Sequence, residues 1–293
     1  MKNNQNKLAF IYDLDGTLVD GYLYNQCFDK ILHLDLLDEW PDVVEKSIEN
    51  DAIPNLYFTF LLVSSLKQYA LKNNKSLSQI YQEQVTNVKY FNGVTEWFDN
   101  INEYAKKRGI EIQHYIVSAG DKELMSKLSI APHIKKIYGN SFIYEDGFPV
   151  WPANVINSVE KTECVYRISK GKLGHYDYTI FDKTDKENKN VPFENIVYLG
   201  DGETDIPPMK LVKNKGGKSI AVYGKNPEYA KLLLKDNRVN YIAKADYTQN
   251  SELHKLICSI IDKTAERQQS YVPTKWHTLN CVCHFLNIFT FYL

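Results

Sequence analysis

No CxxC pair occurs in this chain of 293 residues, and its five cysteines (Cys27, Cys164, Cys258, Cys281 and Cys283) are an odd number. That pattern excludes a disulfide framework and a zinc site of paired thiolates, and it fits a reducing compartment. The seven histidines form no pair at metal-ligand spacing. Neither sign of charge is in excess: the net charge is −1 with 24% charged residues. A polyanion-binding surface is therefore not expected, nor nucleic acid as a partner. Residues 1–7 are polar and lack the apolar core of a signal peptide, so a cytoplasmic protein is expected. The stretch Gly216-Gly217-Lys218-Ser219 has Val212 where a phosphate-binding loop needs its first glycine, which excludes that motif.

Residues 276–293 contain no Asp, Glu, Lys or Arg. The segment is about as long as a short membrane span. His277, Asn280, His284 and Asn287 interrupt it, and each costs free energy in a bilayer. A packed or loosely attached tail is expected there, and a membrane anchor is not.

What is present is a large apolar complement, 44% hydrophobic and 13% aromatic, enough to bury a sizeable core and to argue against disorder. Residues 7–12 (KLAFIY) form a short apolar run, read as a buried strand. Residues 24–37 and 57–71 then carry apolar side chains at helical spacings of three and four, with Pro41 and Pro54 as punctuation. From Gly93 the pattern alternates. Helices are predicted over 93–108, 121–128, 161–169, 205–212 and 227–234. Strands are predicted over 110–117, 196–199, 219–223 and 241–243. A hairpin is predicted around Asp146-Gly147. The expected fold class is α/β: a Rossmann-like parallel sheet flanked by helices, with an inserted helical cap. The expected division is a core of residues 1–19 and 90–265, a cap of residues 20–89, and a tail of residues 266–293 of unknown role.

In such sheets chemistry gathers beyond the carboxyl ends of the strands. The first predicted strand ends in Asp13-Leu14-Asp15-Gly16-Thr17, the second in Ser118-Ala119-Gly120-Asp121, and the third in Gly200-Asp201-Gly202-Glu203-Thr204-Asp205. Carboxylates so gathered repel one another unless a cation neutralises them, and Mg²⁺ takes oxygen ligands of this kind. The metal would also reverse the repulsion felt by an anionic phosphate monoester. One carboxylate of the Asp13/Asp15 pair can attack phosphorus while the other protonates the leaving alcohol and later activates water. Thr17 and Ser118 offer hydroxyls to the nonbridging oxygens. A lysine is needed to offset charge on the transferring group. Lys161, at the start of a predicted helix, and Lys170, at its end, are the two candidates. Asp121 reads as the N-cap of the following helix.

These motifs, in this order, resemble those of the haloacid dehalogenase superfamily of phosphohydrolases, in the phosphoserine-phosphatase-like branch with a helical cap. The resemblance covers the DxDGT motif at 13–17, the strand-ending Ser118, the lysine and the GDGxTD motif at 200–205. It implies Asp13 as nucleophile and Mg²⁺ ligand. It implies Asp15 as acid and base, with its backbone carbonyl on the metal. Asp201 would be a direct metal ligand and Asp205 would bind or orient through the outer shell. The phosphate would be held by Thr17, Ser118, Ala119 and Lys161. The implied partner is a small phosphorylated metabolite, with phosphoserine suggested by the resemblance alone. Two other functions share the motifs: a phosphomutase, and a non-catalytic binding protein on the same fold.

Overall fold

The computed structural model describes residues 6–32, 36–185 and 188–269. Strand β1 (Lys7–Tyr12) is apolar on both faces, and Leu8 to Tyr12 are at most 1% exposed. Such a strand belongs in the middle of a sheet covered on two sides. Four helices follow it: α1 (Leu23–Leu32), α2 (Leu36–Glu49), α3 (Pro54–Lys72) and α4 (Leu77–Gln84). Pro54 opens α3, where its missing N–H costs nothing. Ser76 and Gln79 close a capping box on α4. Pro41 was expected to punctuate the chain, but it lies inside α2. A proline removes one backbone bond from a helix interior, and here α2 continues across it while packed against α3.

The remaining elements are α5 (Val94–Lys106), β2 (Glu111–Asp121), α6 (Lys122–Met125), β3 (Ile134–Glu145), β4 (Phe148–Asn154), α7 (Ser158–Lys170), β5 (Ile196–Gly200), α8 (Ile206–Asn214), β6 (Lys218–Tyr223), α9 (Glu228–Lys235), β7 (Tyr241–Lys244) and α10 (Glu252–Gln269). Seven strands form one sheet in the order β4-β3-β2-β1-β5-β6-β7. Every pairing is parallel except β3 with β4. The strand order reverses at β1, between β2 and β5, and a crevice opens at the carboxyl end of such a reversal. Asp146 (φ 50°) and Gly147 (φ 80°) both adopt the left-handed conformation that a two-residue hairpin turn demands. Two of the seven residues of the outer strand β4, Pro149 and Pro152, lack an amide N–H.

Alternation along β1 divides the core. Ala9 and Ile11 face a cluster with Val165 and Ile168 of α7 and Met209 and Val212 of α8. Phe10 and Tyr12 face Trp97, Phe98 and Ile101 of α5 and Ile257 and Ile261 of α10. That second cluster runs on without a break into Phe28, Phe58, Leu62, Leu66 and Ile80, the centre of the inserted helices. Gly93 (φ 80°) sets the entry to α5, and a Cβ there would come 2.5 Å from the Thr248 amide.

Four elements depart from expectation. Strand β2 runs on through Ser118-Ala119-Gly120, and its pairing with β3 shifts register between Val117 and Asp121. Helix α6 has only four residues. Strand β3 begins at Ile134, well before the predicted hairpin, and α10 was not anticipated at all. No described helix is long and apolar enough to cross a membrane. The uncharged segment 276–293 lies outside the described residues.

Candidate active site

Directly after β1 the chain turns sharply. The Asp13 amide still donates to Leu199 O of β5 at 2.9 Å, which holds Asp13 at the sheet edge. The carbonyl of Leu14 then collects the amides of Thr17, Leu18 and Val19 at 2.8–3.2 Å. Gly16 has φ +67°, and a Cβ on it would penetrate the Asp201 carboxylate. A Cβ on Gly200 would come 2.5 Å from the Asp205 carboxylate carbon. Both glycines therefore serve close approach of acidic side chains to backbone.

Asp13, Asp201 and Asp205 each present a carboxylate oxygen, and these lie within 4.8 Å of one another. Lys161 enters from α7, one turn inside a capping box made by Asn157 and Glu160. Its ammonium, 1% exposed, stands 2.8 Å from Asp205 Oδ1 and 3.0 Å from Asp13 Oδ1. Apart from this ion pair, Asp13 Oδ1 is buried without a hydrogen-bond partner. Asp205 is better supplied: Tyr198 donates to Oδ1 at 2.7 Å and the Gly202 amide to Oδ2 at 3.3 Å. Asp201 Oδ1 accepts from the Thr17 hydroxyl at 3.3 Å. Asp15 Oδ1 accepts from the amide of Leu23, the first residue of α1, at 2.7 Å.

Three carboxylates near one ammonium leave the pocket short of positive charge. Asp13 is held well above the usual carboxylate range, by burial first and then by Asp205, with Lys161 opposing. Asp201 is pushed up to about 7 by burial and then Asp205, again against Lys161. Asp15 is pushed up to about 6 by burial, against the Leu23 amide and Lys161. Lys161 shows the converse: burial acts to lower its pKa, but Asp13 and Asp205 outweigh it and the ammonium is held above its ordinary value. Buried carboxylates in this state are paired or coordinate metal. The donor set fits a small hard cation, since it is all oxygen and three carboxylates face a single ammonium among the described residues. Asp205, with both oxygens engaged, suits orienting the set.

The structure thus brings Asp13, Asp15, Thr17, Lys161, Asp201 and Asp205 to one end of the sheet. Ser118 joins the same edge, because it stands two residues beyond Ile116, the partner of Tyr12 where the parallel β1–β2 pairing ends. The Gly120 amide donates to Ser118 Oγ at 3.1 Å, and Ala119 O accepts from Asn140 Nδ2 at 2.7 Å. Lys170 points elsewhere, donating to the carbonyls of Ile180 and Asp182 at 2.6 and 2.8 Å. Thr17 is fully buried, with its hydroxyl turned to Asp201. Asp121 caps α6 as expected, accepting from the Leu124 amide at 2.9 Å. Sequence reasoning missed Tyr198; its one signal was a hydroxyl in the otherwise apolar strand IVYLG.

A model of the haloacid dehalogenase-like hydrolase family matches residues 10–210 of this chain. A protein of unassigned function from Borreliella burgdorferi is 28% identical over 286 residues, covering 88% of this chain and 97% of the relative. Among solved structures, a HAD family hydrolase from Salmonella enterica serovar Typhi superposes with a TM-score of 0.54 at 15% identity, covering 88% of this chain and 72% of that one. A probable phosphoserine phosphatase from Vibrio cholerae superposes with a TM-score of 0.51 at 14% identity, covering 91% and 68%. At those identities the two structures show a shared fold.

Proposed function

Since this chain belongs to the haloacid dehalogenase-like hydrolase family, we propose that it hydrolyses small phosphomonoesters through a phosphorylated Asp13. The observation that carries the reading is the buried ammonium of Lys161 set between Asp13 and Asp205, with Asp201 beside them. A phosphate dianion fits such a place once a divalent cation completes its charge. Asp13, Asp201 and the backbone carbonyl of Asp15 would hold Mg²⁺, with Asp205 orienting the set. When bound, Mg²⁺ supplies positive charge that offsets the carboxylates and the incoming phosphate.

A carboxylate oxygen of Asp13 attacks phosphorus, the bond from phosphorus to the alcohol oxygen breaks, and Asp15 gives its proton to that oxygen. Asp15, as carboxylate, then takes a proton from water. The hydroxide so formed attacks phosphorus, the bond to Asp13 breaks, and inorganic phosphate and free Asp13 result. A carboxyl held at about 6 suits both halves of this exchange near neutral pH. Lys161 offsets charge on the transferring group, and Ser118 with the backbone around Ala119 holds its nonbridging oxygens. Thr17 keeps Asp201 in place. Helices α1–α4 act as a cap that excludes water and restricts the site to small substrates.

The test is release of inorganic phosphate from p-nitrophenyl phosphate with Mg²⁺ present, in the wild type and in Asp13→Asn. Release by the wild type alone is expected. Release that survives in Asp13→Asn overturns the mechanism.

A further inference from the structure

The chain leaves the sheet for the inserted helices through residues 18–20 and returns through residues 89–91. The two crossings lie side by side. The Phe91 amide donates to Leu18 O and the Asp20 amide to Lys89 O, both at 3.0 Å, and Val19 and Tyr90 form an antiparallel bridge. A ribbon of two such short strands is marginal by itself. Gln26 of α1 fastens it. Its Nε2 donates to Asp20 O at 3.0 Å and to Lys89 O at 3.4 Å, and its Oε1 accepts from the Lys89 amide at 2.6 Å. A primary amide carries both donors and an acceptor, so it meets a carbonyl and an amide at once. One side chain thereby ties the outgoing strand, the returning strand and α1 together.

Three residues before Gln26, α1 opens at Leu23, whose amide donates to Asp15 Oδ1 at 2.7 Å. Among the described residues this is the one hydrogen bond to the Asp15 side chain. Residues 23 and 26 are neighbours on the surface of one helix turn, so what fixes Gln26 also fixes the Leu23 amide. Other parts of the pocket are held independently of α1. Asp13 is bonded through its amide to Leu199 of β5, and Lys161 stands on α7.

We propose that Gln26 is a positioning residue for the acid: by clamping α1 to both crossings it keeps the Leu23 amide on Asp15 and so holds the carboxyl within reach of the leaving oxygen. The inference rests on the hydrolase reading above. Proton transfer needs a heavy-atom separation of about 3 Å, and a misplacement of about 1 Å from a distant change can cost a hundredfold. Without the clamp α1 can slide against the ribbon, and Asp15 loses its guide while the nucleophile and the lysine stay in place.

The experiment compares kcat/KM, with Mg²⁺, for phenyl phosphate and p-nitrophenyl phosphate in the wild type, Gln26→Met and Gln26→Ala. The two substrates share a ring and differ in the leaving group. Phenolate is the more basic and needs the proton, whereas p-nitrophenolate departs without it, so the ratio between them reads the acid. Each variant, checked by its melting curve, is expected to lower kcat/KM for phenyl phosphate by about tenfold and to leave p-nitrophenyl phosphate within about threefold. Gln26→Met keeps length and bulk without the hydrogen bonds, so it remains informative if Gln26→Ala fails to fold. An equal loss on both substrates would mean that Gln26 only braces the inserted helices, and that result or an unmoved ratio would overturn this inference alone. No release by the wild type from either substrate would overturn the hydrolase reading and this inference with it.

Discussion

Two buried polar clusters meet at adjacent residues, Tyr12 and Asp13, and they are built on opposite plans. Behind the sheet edge, Trp97 Nε1 donates to Tyr12 Oη at 3.0 Å; Tyr12 Oη lies 3.1 Å from His114 Nδ1, and His114 Nε2 lies 3.0 Å from Asn102 Oδ1. With the His114 proton on Nε2, each donor in this chain meets an acceptor. Ahead of it, Asp13, Asp15 and Asp201 share one ammonium with Asp205, and their pKa values are raised. A satisfied network strengthens the fold, whereas an unsatisfied one stores binding capacity at the fold's expense. One residue along β1 separates a structural use of buried polarity from a functional one.

The strongest way to break this comparison is Asp13→Asn. We expect phosphate release to fall about a thousandfold or more. The metal-free variant should melt higher than the wild type, because a buried charge has gone. A lower melting point in calorimetry would mean that Asp13 is satisfied after all.

Acid should act with opposite sign on the two clusters. His114 is held down at about 3, by burial and then by His133. The unfolded chain binds this proton below about pH 6.5 and the folded chain does not, so the His114 contribution is complete above 6.5 and is lost as pH falls toward 3. The slope is about 1.4 kcal/mol per pH unit, on the order of 4 kcal/mol by pH 3.5. Asp201 works the other way: its folded pKa, about 7, lies above the unfolded value, so its cost is full above 7 and is relieved as pH falls toward 4. Denaturant unfolding of the wild type and His114→Gln across this range isolates the histidine. Parallel curves for the two proteins would remove it from the account.

Saturating Mg²⁺ should stabilise the wild type by about 2.7 kcal/mol at a hundred times the dissociation constant. Asp201→Asn should lose most of that gain, and an unaltered thermal shift in the variant would exclude Asp201 from the cation site. The smallest effect is expected from Tyr12→Phe, which strands the Trp97 N–H and His114 Nδ1 at a cost of about 2 kcal/mol. Chemical denaturation reads it directly, and a neutral outcome would mean that water repairs the break.

The acidic pocket was legible in the sequence because its signals are local. Asp13, Ser118 and Asp201 each stand at or near the end of an apolar strand, and the glycines beside them announce close backbone approach. Lys161 and Lys170 could not be separated that way, since both flank one helix and only the packing of α7 says which ammonium meets Asp205. Tyr198 and the Tyr81–Asp121 pair were hidden for the same reason: they join residues 7 and 40 positions apart through tertiary contacts. Strand β3 was masked at its start by Lys135 and Lys136 between apolar neighbours. Helix α10 was readable, as Leu253, Ile257, Ile260 and Ile261 make a stripe at helical spacing. Pro41 misled because a packed helix can absorb a break that a local rule forbids.

The outer strand β4 has a consequence beyond the pocket. A sheet margin with a full row of amides is a template on which a stranger's backbone can crystallise, copy after copy. Pro149 and Pro152 remove two of the teeth from that comb. At the opposite margin β7 is only four residues long. Neither rim of the described sheet offers a long runway for a foreign strand.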